Sequence, residues 1–181
     1  LKSLFFYFIP LVLLKLFVDK KVEGLYGLSR NSQHIKGYFS MFLMLLPFLL
    51  FMSFSPDFQQ AYPQFKPWFY EGAFGMKTWQ YTAIFETTYA LDFVMTELLF
   101  RGALVIGMVS VLGRKAVLPM VAMYVAIHFG KPLGETISSM FGGFMLGALA
   151  YQTRHIWGGV IVHIMIALSM ELMGFFHFYS N

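Results

Sequence analysis

An all-α, polytopic transmembrane bundle of about six helices, with a polar site buried in the bundle, is the fold class this sequence predicts. Three observations carry it. Long apolar runs recur along the 181 residues, and about 20 such residues cross a bilayer. Charged residues make up 12% of the chain, where a soluble domain carries about a quarter. A few ionisable side chains nevertheless sit inside the apolar runs, where each costs on the order of 2.5–3.5 kcal/mol by insertion scales, so they are functional candidates.

The candidate helices, in order, are Leu1–Val18, Gly37–Phe54, Trp79–Leu112, Ala116–Phe129, Leu133–Tyr151 and Ile156–Phe176. The first lacks a small-residue cleavage site and starts without Met, so it reads as a trimmed first span rather than a signal peptide. The segment Asp19–Lys36 reads equally as a surface-lying amphipathic elbow or a solvated loop. In the loop 55–72, prolines alternate with Phe58, Tyr62, Phe65, Trp68, Phe69 and Tyr70, which an interfacial aromatic belt explains better than a gating lid. The third stretch is too long for one perpendicular span, so it is expected to be tilted, broken or protruding. The fourth is short for a span. With no repeats or composition shift, residues 1–181 read as a single transmembrane domain.

Charge is informative by position. Lys20, Lys21, Arg30 and Lys36, then Arg114 and Lys115, then Arg154, alternate with loops carrying Lys66, Lys77 and Lys131. The positive-inside rule puts the first set in the cytoplasm and both termini outside. The basic residues form no single stripe, so nucleic acid is not an expected partner. The bilayer is. Absence of cysteine removes disulfides, thiolate ligands and a cysteine nucleophile. Oligomeric state has no signature in the sequence.

The in-span ionisable residues are Glu86, Asp92, Glu97, Arg101, His128, His163 and Glu171, with Glu135 just past the fourth stretch. Glu97 and Arg101 are four apart with the acid N-terminal, the favourable orientation for a helical ion pair. Glu86 lies three turns before Glu97 on the same face. Such a pair can simply fix helix packing, and a lone histidine is more often a packed core residue. Two histidines on separate helices plus a carboxylate on a third make a more telling set. His163 lies about 13 Å in from Arg154 and His128 about 20 Å in from Lys115 at helical rise, so the two can meet near mid-bilayer. Gly143 with Gly147, and Gly158–Gly159, support close helix contact.

Glu97, Phe100, Arg101 and Gly102 in "TELLFRGAL", His128 in "YVAIHF" and His163 in "GGVIVHIMIAL" resemble the CAAX-protease and bacteriocin-processing family of intramembrane glutamic endopeptidases, over about residues 79–170. The family's motifs are Glu-Glu-x-x-x-Arg, Phe-x-x-x-His and His-x-x-x-Asn/Asp. By position Glu97 matches the second Glu, Arg101 the Arg, Tyr124 the Phe, and His128 and His163 the histidines. Thr96 stands where the first Glu belongs, the one usually cast as the base, and Ala167 where the Asn or Asp belongs.

The resemblance implies a metal-independent, cofactor-free peptidase of a bacterial cytoplasmic membrane, acting on a membrane-proximal peptide or protein. Its catalytic residues would be Glu97 as base, His128 orienting or deprotonating water, and His163 stabilising the oxyanion, with Arg101, Thr96 and Tyr124 supporting. Thr96, Thr136 or Ser138 could supply the donor missing at Ala167, since losing one oxyanion donor costs about 2.7–4 kcal/mol. The rivals are an inactive binding or immunity-type relative, a zinc peptidase using His128, His163 and Glu97, a proton-coupled transporter, and a purely structural network. The chain has no HExxH motif, and repeated broken helices are not evident.

Overall fold

The computed structural model describes residues 3–20, 24–28, 35–70 and 75–180, and it is an all-α helical bundle. A π-helical turn Leu4–Phe8 leads into α1 (Ile9–Phe17). Then come α2 (Ile35–Met52), the short α3 (Pro56–Ala61) and a 3-10 turn Pro67–Tyr70. Helix α4 (Thr78–Glu97) runs directly into a π-helical segment Leu98–Gly107 and the single turn α5 (Val109–Leu112). After a 3-10 turn Gly113–Ala116 follow α6 (Val117–Ala126), α7 (Leu133–Thr153) and α8 (Trp157–Ser180).

The distribution of polarity is the reverse of a soluble domain's. Phe17, Phe51, Val111, Phe129 and Leu172 are exposed, while Glu97 and Arg101 are wholly buried. An exposed apolar surface of that extent is unfavourable in water and matches lipid. The stretches Thr78–Ala126 and Trp157–Ser180 are long and apolar enough to cross a bilayer.

Of the outcomes expected for the third stretch, the chain takes the break. Gly113 adopts φ 55° and ψ −135°, a conformation only glycine reaches cheaply, and the chain reverses there. Helix α6 consequently packs back against the π segment and α7. At ten residues it rises only about 15 Å; it buries Tyr124, while Ile127 and Phe129 in the following turn stay exposed.

The glycines anticipated as contact points are close-approach sites. A Cβ at Gly143 would stand 2.8 Å from Tyr124 Cδ1, and one at Gly147 would stand 3.1 Å from Val117 Cγ1. These set the α6–α7 spacing. On α8, a Cβ at Gly158 would overlap the Tyr38 ring.

Two loops differ in part from expectation. The aromatic loop is divided: Phe58 and Tyr62 are buried, Trp68 stacks on Phe178 at 3.6 Å and Phe65 on Phe85 at 4.9 Å, while Phe69 and Tyr70 stay exposed as a belt requires. The Glu171 carboxylate accepts from the Gln64 N–H at 3.0 and 3.1 Å, pinning the loop to α8. Phe65 and Trp68 thus pack on α4 and α8. At the other end, the described part of the Asp19–Lys36 segment leaves Lys20, Gly24 and Lys36 exposed but sends a buried anchor into the bundle. Tyr26 is fully buried against Gly102 and Gly107, and Ile156 N–H donates to the Gly27 carbonyl at 3.1 Å. Arg30 lies outside the described residues. Lys131, over the Tyr62 ring at 5.7 Å, and Arg154 flank the two ends of α7, which at 21 residues is about 31 Å long. One residue of each basic set thus stands at each end of α7.

Candidate active site

Glu97 is the last residue of α4, and Arg101 sits in the first turn of the π segment that continues it. Arg101 Nη1 lies 2.9 Å from Glu97 Oε1, and both side chains are sealed from the surface. This is a charge contact rather than an aligned hydrogen bond. None of the three guanidinium nitrogens has an aligned acceptor among the described residues. The same Glu97 oxygen accepts from His163 Nδ1–H at 2.7 Å. A carboxylate only accepts, so Nδ1 carries the hydrogen. The other oxygen, Oε2, has no hydrogen-bond partner among the described residues and lies against Gly159, where a Cβ would overlap it. Glycine at 159 is therefore what lets α8 bring His163 to Glu97.

The second ring nitrogen of His163, Nε2, meets the Tyr124 hydroxyl at 2.6 Å. In neutral imidazole it accepts the Tyr124 O–H; in imidazolium it donates to the phenolic oxygen. Phe93, one turn before Glu97, stacks on the His163 ring at 4.9 Å. The Arg101 guanidinium sits 4.2 Å over the Tyr124 ring, and Phe100 meets that ring edge-on at 5.3 Å. These contacts hold Tyr124 in one pose. One turn on, His128 packs on the Tyr124 ring at 4.5 Å, and its Nδ1–H donates to the Tyr124 carbonyl at 2.8 Å. That tautomer leaves the His128 lone pair on Nε2. Thr136 donates to the His128 carbonyl at 2.8 Å, tying the first turn of α7 to the turn that carries His128.

These groups border a cavity of about 250 Å³. Its polar lining includes Thr96, Tyr124, His128, Glu135 and His163, and its apolar side comes from Leu45, Phe48, Leu49 and Met170. Four of the residues singled out from the sequence, Glu97, Arg101, Tyr124 and His163, form one connected network, and His128 joins it through Tyr124. Glu97 and Arg101 are not among the lining residues; they stand behind His163. Thr96 does line the cavity, with its hydroxyl donated to the Asp92 carbonyl at 3.0 Å. Thr136 and Ser138 likewise donate to carbonyls, of His128 at 2.8 Å and Glu135 at 3.0 Å. Ala167 lines the cavity with a methyl group. The hydroxyl already paired with His163 is Tyr124's. Among the described residues no three His, Asp or Glu side chains are arranged to hold a metal ion.

Sequence reasoning missed two things. One is Tyr124's hydroxyl, noticed only as an aromatic at a Phe position. The other is Glu135, placed just beyond a helix end, although it follows His128 by only seven residues.

A sequence model described as Rce1-like, type II CAAX prenyl endopeptidase Rce1-like, matches residues 78–169, half of the chain. The matched span contains Glu97, Arg101, Tyr124, His128 and His163. Neither the curated proteins nor the solved structures contain a match to this chain.

Proposed function

The chain belongs to the Rce1-like family of type II CAAX prenyl endopeptidases, and from that premise we propose that it is an intramembrane, metal-independent endopeptidase that hydrolyses a membrane-proximal peptide bond. We place it as a single-domain, multi-pass protein of a bacterial cytoplasmic membrane. The observation that carries the reading is the continuous line Glu97–His163–Tyr124, which ends at a cavity also lined by His128.

In this reading His128 Nε2 accepts a hydrogen bond from the attacking water and orients it. The Tyr124 hydroxyl and His163 face the carbonyl oxygen as it becomes an oxyanion. Glu97 acts through His163, accepting its Nδ1–H and so fixing the ring whose Nε2 pairs with the Tyr124 hydroxyl beside the oxyanion. Preorganised donors of this kind are worth most in a water-poor site. Tyr124 thereby serves in place of the donor absent at Ala167. The experiment is cleavage of a mixed-sequence fluorogenic peptide library in detergent micelles. His128→Ala and His163→Ala should each lose at least about 10²-fold in turnover. The double variant should lose little more, because residues acting as a unit are non-additive. Equal cleavage by native protein and His163→Ala would refute the reading.

One observation favours a second reading, a catalytically silent binding or immunity-type protein. Position 96, which the resemblance assigns to the family's base, faces the cavity as threonine. If the native chain cleaves nothing and Thr96→Glu cleaves the library, that second reading stands.

A further inference from the structure

We propose that Glu135 is the carboxylate that takes the proton from the attacking water. The proposal rests on the peptidase reading above and adds a catalytic residue to it. Glu135 is the one Asp or Glu that lines the cavity among the described residues. Glu97 is screened from the cavity by His163, and Thr96 brings no acid to it. The cavity's carboxylate therefore comes from α7, not from α4.

The Glu135 side chain is held but not sealed. Its Oε2 accepts from the Tyr62 hydroxyl at 2.8 Å, its Oε1 lies 3.4 Å from Lys131 Nζ, and 15% of the side chain stays accessible. Two ligands leave a carboxylate with further lone pairs for water. Burial first, and the neighbouring Glu135 second, push the Tyr62 phenol upward, so Tyr62 stays protonated and remains a donor. The Thr136 hydroxyl donates to the His128 carbonyl, joining the turn that carries Glu135 to the turn that carries His128, and both residues line the same cavity. The other titratable groups around Glu135 are Lys131, Tyr62 from the loop, Tyr89 from α4, and Tyr124 and His128 from α6 and its end.

The step balances without any further reactant. One water proton passes to a Glu135 oxygen while the water oxygen bonds to the scissile carbonyl carbon. The carbonyl π pair becomes the oxyanion facing Tyr124. Collapse of the adduct breaks the C–N bond, and the proton held by Glu135 goes to the leaving nitrogen. One water is consumed, an amine and a carboxylic acid form, and nothing is oxidised or reduced.

The competing explanation is a structural clip, Tyr62–Glu135–Lys131, that fastens the loop to α7. Two variants separate them in the peptide-library assay. Glu135→Gln keeps an acceptor for the Tyr62 hydroxyl and should lose at least about 10²-fold in kcat, with an unchanged melting temperature. Tyr62→Phe removes a donor that favours the carboxylate, so the acid limb of the kcat/KM profile should move to higher pH while cleavage persists. A clip predicts the opposite pair: a lower melting temperature in both variants and no shift of the limb. Should Glu135→Gln fail to fold, Tyr62→Phe decides alone, and an unmoved limb overturns the proposal. Native-level cleavage by Glu135→Gln overturns it while leaving the peptidase reading intact. A native chain that cleaves nothing overturns both.

Discussion

Glu97→Gln tests what Glu97 is for, because the substitution removes charge and almost nothing else. Glutamine can keep its carbonyl oxygen toward His163 Nδ1 and Arg101, and turn its amide toward Gly159, where Oε2 now lies without a partner. What is lost is, among the described residues, the one anion paired with Arg101, whose guanidinium is sealed and has no aligned acceptor there. Leaving a buried cation uncompensated costs about 3–5 kcal/mol. For a chain of this length, at about 2–4 °C per kcal/mol, that is a fall in melting temperature of roughly 6–20 °C.

Replacing both partners, Glu97→Gln with Arg101→Met, removes the orphan charge and should recover most of the loss, since exchanging a buried pair for neutral groups is often nearly neutral. The assay is thermal unfolding in detergent, followed by intrinsic tryptophan fluorescence. The reasoning fails if the single variant melts within about 2 °C of native, a shift worth no more than about 1 kcal/mol. It fails equally if the double variant melts below the single one.

Two further predictions concern packing and orientation. Gly159→Ala drives a methyl into the Glu97 carboxylate. It should cost about 1–3 kcal/mol as overpacking and lengthen the Glu97–His163 bond, seen as a shift of the His163 ring resonances. Gly37→Ala, whose Cβ meets nothing within 4 Å, should stay within about 0.5 kcal/mol of native. Because the chain has no cysteine, single cysteines at Lys131 and Arg154 report sidedness directly. Labelling from outside intact cells should reach position 131 and not 154. The reverse pattern would invert the proposed topology.

Much of the scaffold was legible in the sequence. The Glu97–Arg101 spacing announced a buried pair, and the two histidines from separate helices line one cavity. Gly143, Gly147, Gly158 and Gly159 marked where helices approach. The π segment was not legible, because Leu98–Gly107 keeps an apolar composition whichever helical ladder it uses. Its nearest signal is Gly102, where a Cβ would stand 2.8 Å from the Tyr26 carbonyl oxygen. The inward fold of part of the aromatic loop was hidden too. An aromatic rim and an aromatic plug have the same composition, and only partners such as Phe178 and Phe85 tell them apart.

The roles within the site were hidden for a geometric reason. Neighbours on a helix point about 100° apart, so hydrophobic periodicity cannot say which of positions 96 and 97 faces the cavity. The answer depends on α8: Gly159 leaves room for the Glu97 carboxylate, and Thr96 is turned to the cavity wall. A threonine there cannot take a proton from water at neutral pH, whereas an acid on any other wall of the same cavity can. Helix α7 provides that wall, because Gly143 and Gly147 let it lie flush on α6 while Thr136 ties its first turn to His128. Positions 96 and 135 thus stand on two walls of one cavity. In that account Thr96→Glu in the native background should add little turnover, since the cavity already holds a base. In Glu135→Gln the same change should restore cleavage, and failure to restore it would mean that the two walls are not interchangeable.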